Sequence, residues 1–455
     1  MPTKIRHWKP FFSIFLCLGL LQLTGSAQPH NDRIVVVISL DGFPAYALND
    51  PRLPVPTLRK LAREGSYATS MRPINPTVTW PNHTAMVTGV DASVHHVLFN
   101  GLLVDPQSGG QPKVEPQRDK DLMVHAPTVY DIAFDARLIT AQVDWVAIHN
   151  AKTITWQFPE LPDPTGPIEQ EMVAEGKVTS EQLRTFENSS QAWQDQIWTD
   201  AAVRILLERK PNLLLFHLLS LDSDSHEYGP MSSAAFTAMA FLDDRVKQIL
   251  DALRSADLLS RTTILVVSDH GFRKVNRALH PIVLLKQADA STNRDSGTGA
   301  RLLDDVSVMP EGGTASIYIN KSADRNKLMP VVSALFSNVE GIDRIYGPEE
   351  LPKLGWPTVD QSDQAPDLLL TAKPGYYFSS DPSTSFAADA PEKGSHGYLN
   401  SDPDMQSIFI AWGAGIAPGK NLGSISNLDV APTIASLLGL TMNNIMGQPL
   451  KQILK

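Results

Sequence analysis

Arg33-Ile-Val-Val-Val-Ile-Ser-Leu40, followed at once by Asp41-Gly42, decides the fold. A run this apolar and rich in β-branched residues has no wet face. It therefore reads as a strand covered on both sides, as in a parallel sheet packed between helices. Asn212 to Ser220 and Thr262-Thr-Ile-Leu-Val-Val-Ser268 are equally apolar. Between and around these runs lie helical patterns at Pro56 to Glu64, Thr128 to Leu138, Gln191 to Lys210 and Ser232 to Leu258, with a strand at Ile139 to Val146. Further strands at Ala315 to Asn320, Asp367 to Thr371 and Gln406 to Ala411 follow, with helices near Ala323 to Ser337 and from Leu428 to Leu438. Such alternation is the mark of an α/β fold with a mainly parallel central sheet and helices on both faces. Stretches near 155–180, 275–312 and 345–395 are rich in Pro, Gly and Asp. They read as insertions, of the kind that form a cap, in a single domain over residues 28–455.

The first 27 residues have a different character. Lys4, Arg6 and Lys9 precede an apolar run from Phe11 to Leu23, and Thr24-Gly-Ser-Ala27 supplies small residues that fit a cleavage site. The run has 13 residues, whereas a membrane-spanning helix needs roughly 20, so a secretory signal peptide is expected. The one cysteine, Cys17, falls inside it. The mature chain then has no thiol, and its stability must come from a buried core. Removal of the three basic residues makes the formal charge of −10 more negative still. An acidic surface argues against nonspecific binding of nucleic-acid polymers, while a metal-lined cleft could still take a small phosphate ester.

The chemistry gathers at the ends of the apolar strands. In open α/β sheets ligands bind beyond the carboxyl ends of the strands. The first strand ends in Asp41, the second runs into Asp222-Ser-Asp-Ser-His226, and the third ends in Asp269-His270-Gly271. Far downstream, Gly394-Ser-His396-Gly397 places another histidine in a glycine-rich loop. Carboxylate and imidazole without thiolate suit zinc in an open coordination, with manganese as the alternative. Between the first strand and the rest lies Asn75-Pro-Thr-Val-Thr79-Trp-Pro-Asn-His-Thr-Ala-Met-Val-Thr-Gly89, which reads as a loop turning into a helix with Pro81 at its first position. That puts the Thr79 hydroxyl at a helix entrance, where unpaired N–H groups favour an anion. A threonine in that place can also be a simple cap.

In this order and spacing, the strand ending in Asp41-Gly42, Thr79-Trp-Pro-Asn-His83, Asp222 with His226, Asp269-His270-Gly271 and Gly394-Ser-His396-Gly397 resemble the nucleotide pyrophosphatase/phosphodiesterase family of the alkaline phosphatase superfamily. The resemblance runs from about residue 33 to 440 and implies an alkaline-phosphatase-like fold with two zinc ions. One would be held by Asp222, His226 and His396, and the other by Asp41, Asp269 and His270 beside Thr79. Two metals about 4 Å apart can clamp the attacking and leaving oxygens of an in-line displacement at phosphorus. By the same resemblance Thr79 is the nucleophile and passes through a phosphothreonine. Asn100, in Val97-Leu-Phe-Asn-Gly101, would donate to a phosphoryl oxygen, although Asn-Gly is also a common turn pair. Trp80 stands where the family has an aromatic residue against the nucleobase, a contact of about 1 to 3 kcal/mol.

The remaining histidines have plainer expectations. His83 would be a hydrogen-bond donor near the site, and His95, His96, His125, His149, His217 and His280 would be surface or core residues. Two departures bear on substrate. Asp144-Trp145-Val146-Ala147 stands where nucleotide-active relatives often carry Phe-Trp-Pro-Gly, which weakens a transfer of nucleotide specificity. No Lys-x-Arg pair of the threonine-dependent monoesterases follows, Lys152 being the nearest basic residue. A diester or pyrophosphate bond is therefore expected over a monoester, with phosphomonoesterase or phosphonate hydrolase as the rival enzymes. An inactive, metal-binding secreted protein is the rival of another class.

Overall fold

The computed structural model describes residues 1–3, 32–108, 112–291 and 302–455. Most of the expected signal peptide thus lies outside the described residues. The central sheet has nine strands. They are β1 (Ile34–Leu40), β2 (Ser66–Arg72), β3 (Thr140–Val143), β4 (Trp156–Phe158), β5 (Leu213–Leu218), β6 (Thr262–Val267), β7 (Ser407–Gly413), β8 (Lys420–Asn421) and β9 (Ser424–Ser426). Their order is β8-β2-β7-β6-β1-β5-β3-β4, with β9 also on β2. β1 is central, parallel to β5 on one side and β6 on the other. Only β7 runs against the rest, being antiparallel to both β6 and β2.

Every residue of β1, β5 and β6 is buried, and the period of two sends alternate side chains to opposite faces. Val36, Ile38, Leu40, Leu214, Phe216, Ile264 and Val266 pack against α1 (Pro56–Glu64), α4 (Gln191–Arg204) and α6 (Ser233–Ser255). Val35, Val37, Leu213, Leu215, Leu265 and Val267 face α2 (Thr79–Thr88), α3 (Val129–Asp135) and α7 (Val430–Leu437). Between α4 and α6 lies α5 (Ser220–Tyr228). The expected sheet with helices on both faces is therefore what the chain forms.

Several boundaries differ from expectation for local reasons. Ser66–Arg72 lacks the apolar run that marks a strand, since only Ser66, Ala68 and Met71 are buried and its ends are polar; it is held by pairing with β7. β3 stops at Val143, since Asp144 turns to φ 55°. The apolar run from 212 to 220 divides, with β5 ending at Leu218 and α5 starting at Ser220 because the Asp195 carboxylate accepts from the Leu219 and Ser220 N–H groups at 2.9 and 3.0 Å. Pro81 is the third residue of α2, not the first. Its missing N–H costs nothing there, since the first turn has no intrahelical acceptor for it. The stretches expected as loop-rich also contain regular structure. Val306–Glu311 and Ile342–Tyr346 join the expected strands, here Thr314–Ile319 and Leu368–Ala372, in a second sheet over its own apolar cluster, which includes Ile317, Phe336 and Leu370.

Phe216 is fully buried in the centre of β5. Phe216→Ala should lower the free energy of unfolding by about 3–5 kcal/mol, read as a shifted midpoint in urea denaturation.

Candidate metal centre and nucleophile

The carboxyl ends of β1, β5 and β6 are adjacent in the sheet, so the residues that follow them are brought together. Asp41 follows β1 directly. Asp269 and His270 follow β6 after Ser268. Asp222 and His226 lie one turn apart on α5, which places both side chains on one helix face. His396 arrives from the segment beyond Gly394–Ser395, a short strand paired to Arg273–Lys274. Thr79 opens α2 and is buried, with its Oγ1 3.4 Å from His270 Nε2.

The three expected histidine ligands are oriented alike. His270 Nδ1 lies 3.2 Å from the Gly271 carbonyl, His396 Nδ1 2.9 Å from the Thr77 carbonyl, and His226 Nδ1 3.2 Å from both the Gly394 carbonyl and Glu392. With Nδ1 engaged by a carbonyl, each ring turns its Nε2, a lone-pair nitrogen in the neutral form, towards carboxylates. His270 Nε2 is 3.2 Å from Asp269 and 3.5 Å from Asp41, while His226 and His396 Nε2 are 3.7 and 3.8 Å from Asp222. None of these four contacts is a hydrogen bond, and Asp41 Oδ1, Asp222 Oδ1 and Asp269 Oδ2 are buried without a hydrogen-bond partner. Lone pairs facing lone pairs across such gaps fit a cation between them. Two metal bonds of about 2 Å at a tetrahedral angle set nitrogen and oxygen roughly 3.3 Å apart.

Among the described residues, two groups meet the geometry of a metal site, Asp222–His226–His396 and Asp41–Asp222–His270. The first is the set expected from sequence. The second has Asp222 where Asp269 was expected, because the Asp222 carboxylate stands between the two halves of the centre. Asp269 remains alongside through its contact with His270, and its Oδ1 accepts from the Gly42 N–H at 3.2 Å. Gly42 adopts φ +66° with the Phe272 ring 2.6 Å from where a Cβ would be, so no side chain fits at that turn.

Electrostatics agree with a site built for cations. Burial, then the neighbouring Asp269 and Asp222 charges, push the Asp41 carboxyl well above its ordinary range. Burial also raises Asp222, to about 6. Burial lowers His270 to about 3 and His396 well below the usual imidazole value, in each case favouring the neutral, ligating form. Burial opposes charge on His226 too, but the Asp222 and Glu392 carboxylates outweigh it and carry the ring up to about 9.

Asn100 lies beside Thr79: its Oδ1 accepts from the Trp80 N–H at 3.0 Å. The first turn of α2 thus does not leave that N–H unpaired, as the sequence reading had it. Trp80 is buried with Val97, Met123 and Val146, and also lines a cavity of about 230 Å³ with Gln142, Trp145 and Glu160. A second cavity, of about 370 Å³, opens on the other side, bordered by Asn100, His226, His396, Glu311, Tyr377 and Glu392.

Three residues that support the site carried no site assignment in the sequence. His217, expected as a surface or core residue, is fully buried with Nε2 3.0 Å from Asp41 Oδ2. Asp144, read only as a departure in a substrate segment, contacts the other nitrogen of that ring. A histidine inside an otherwise apolar strand was the signal available. Asp195, the cap of α5, had no signal beyond its place in a helical pattern.

A sequence profile described as type I phosphodiesterase / nucleotide pyrophosphatase matches residues 35–399. The chain belongs to this family. Mouse ectonucleotide pyrophosphatase/phosphodiesterase family member 1 is 24% identical over 411 residues, which cover 89% of this chain and 40% of that relative. The chain therefore spans less than half the length of that protein. Mouse family member 7 is 24% identical over 441 residues, 96% of this chain and 91% of the relative. Among solved structures, murine ectonucleotide pyrophosphatase/phosphodiesterase 5, an inactive form in complex with AMP, has a TM-score of 0.70 at 18% identity, covering 93% of this chain and all of that one. The family's alkaline-phosphatase-like fold is thus the fold of this chain. Among the described residues, no helix is long and apolar enough to cross a membrane.

His396 is followed by Gly397 at φ +79°, where a Cβ would come 1.8 Å from the Glu311 carbonyl oxygen. Gly397→Ala should displace His396 and reduce the bound metal, measured by elemental analysis of the purified protein, by about one ion per chain.

Proposed function

We propose that this chain is an exported, metal-dependent phosphodiesterase or nucleotide pyrophosphatase that uses Thr79 as its nucleophile. The observation that carries this reading is the convergence of Asp41, Asp222, His226, Asp269, His270 and His396 around one buried hydroxyl, with unpaired carboxylate oxygens facing histidine lone pairs. Two divalent cations, zinc with manganese as the alternative, would supply the charge that favours the Thr79 alkoxide and the departing oxygen. Asp222, His226 and His396 would hold one, and Asp41, Asp269 and His270 the other, with Thr79 as a further ligand.

The chain's own groups then have defined tasks. Thr79 Oγ1 attacks phosphorus and the bond from phosphorus to the leaving oxygen breaks, giving phosphothreonine. Water then attacks that phosphorus, the Oγ1–phosphorus bond breaks, and the threonine hydroxyl is restored. Asn100, with Oδ1 fixed by the Trp80 N–H, keeps its Nδ2 hydrogens for a phosphoryl oxygen. Trp80 beside its cavity offers a stacking face for a base or another flat group.

Bond class follows from charge. Among the described residues, neither cavity is lined by lysine or arginine, and Lys152 is exposed. A monoester dianion would meet the carboxylates without a fixed protein cation for its additional charge, whereas a diester or pyrophosphate linkage asks less. The proposal takes residues 28–455 as one catalytic domain, with insertions near 155–180, 275–312 and 345–395, and residues 1–27 as a signal peptide for export to the periplasm or beyond. Its partner is a small phosphodiester or nucleotide rather than a nucleic-acid polymer.

Wild type should hydrolyse bis-p-nitrophenyl phosphate faster than p-nitrophenyl phosphate, and a monoester preference would move the chain to the rival phosphatase class. Thr79→Ala should abolish turnover, and Asn100→Ala should lower it by about 10²-fold. Metal near two ions per chain without hydrolysis of any ester in a substrate panel would make it an inactive metal-binding protein. In a host that exports it, N-terminal sequencing of the mature chain should begin at Gln28.

A further inference from the structure

His217 occupies the end of β5 opposite Ser39 of β1, on the sheet face that also carries Asp41. Both of its nitrogens meet acceptors. Nε2 lies 3.0 Å from Asp41 Oδ2, and Nδ1 lies 3.1 Å from the Asp144 carbonyl and 3.2 Å from Asp144 Oδ2. Asp144 is fully buried and adopts φ 55°, a left-handed conformation that few non-glycine residues adopt but that aspartate tolerates. The His83 ring packs edge-on against both His217 and Trp145, with centroids 4.4 and 4.7 Å apart, and restricts the imidazole from the side. With Oδ2 so engaged, the other oxygen of Asp41 is the one left unpaired, 3.5 Å from His270 Nε2.

We infer that His217, held by the Asp144 carbonyl, is a positioning residue that fixes the rotation of the Asp41 carboxylate, so that Oδ1 alone is presented to the cation beside His270. The inference rests on the metal-dependent reading of the site. A carboxylate free to rotate would divide its time between one-oxygen and two-oxygen coordination. The His217 hydrogen bond removes one oxygen from that choice, and the Asp144 carbonyl holds the imidazole in the plane that makes the bond. His217 is not itself a ligand, because both ring nitrogens are already engaged, one by Asp41 Oδ2 and the other by that carbonyl.

The test uses the full chain, stripped of metal and titrated with Zn²⁺ in competition with a fluorescent chelator, with thermal melts of each metal-free protein as the control for folding. Wild type should take up two ions. His217→Leu should bind one of them about 10 to 100-fold more weakly and leave the other unchanged. His217→Gln, whose amide nitrogen can stand where Nε2 stands, should recover most of that loss. Wild-type affinity in His217→Leu, or an equal loss in the Gln and Leu variants, overturns the inference. Should His217→Leu fail to fold, His217→Asn, whose shorter amide does not reach Asp41 Oδ2, takes its place, and wild-type affinity there overturns the inference instead. A wild type that takes up no zinc at all overturns the metal-dependent reading, a result distinguishable from either of these.

Discussion

Three carboxylates, Asp41, Asp222 and Asp269, are forced into one buried space, and the rest of the centre is arranged around the cost of that. Like charges held together out of water either take up protons or require compensating cations. The elevated Asp41 and Asp222 carboxyls express that pressure in the protein alone. His217 relieves part of it, lying between Asp41 and Asp144 and pushed well above the ordinary imidazole range by those two carboxylates despite its burial. The unpaired oxygens of all three acids remain, pointed at imidazole lone pairs. A fold optimised for stability alone would have no use for this arrangement, which is why it reads as a site.

The sheet makes the crowding unavoidable. β1 lies between β5 and β6, all three parallel, so their carboxyl ends emerge side by side at the strand spacing of about 4.8 Å. Asp41 and Asp269 are carried on the turns that follow two of these strands, and Asp222 on the first turn of the helix that follows the third. No long lever connects any of them to the core. Phe216, Ile38 and Val266, buried in one layer beneath, therefore set the relative heights of the three acids. His396, by contrast, comes from the distant segment that joins the second sheet to β7. The Thr77 carbonyl fixes its ring, and the Gly397 N–H donates to the same carbonyl at 3.1 Å. The Thr79 loop and the His396 loop are thereby tied together two residues from Thr79.

What could be read from the sequence follows this division. Buried parallel strands are recognisable because their apolar runs are continuous, and the acids at their ends stand out because they terminate those runs. The Asp222–His226 spacing is a local, one-turn relation that survives whatever the rest of the chain does. β2 was not legible, because its half-buried alternation is short and its strandhood depends on β7, more than 300 positions away. The division of the run at 212–220 into strand and helix was not legible either, since its cause is Asp195, a residue whose capping role exists only once α4 has packed beside β5. Asp222 bridging both halves of the centre is likewise a matter of side-chain placement that spacing alone does not fix.

His217 shows the limit most clearly. A ligand is found in sequence by its neighbours along the chain, but a residue that orients a ligand is found only by its neighbours in space, and those of His217 come from β1 and from the turn after β3. The segment Asp144-Trp145-Val146-Ala147 supplies one of them. Trp145 from the same segment packs against His83 and lines the cavity beside Trp80. One short turn therefore contacts both the support of Asp41 and the wall where a substrate group would rest. A change of residue there cannot alter that cavity wall without also disturbing the carboxylate behind it, which couples the shape of the cavity to the geometry of the carboxylate cluster through packing alone.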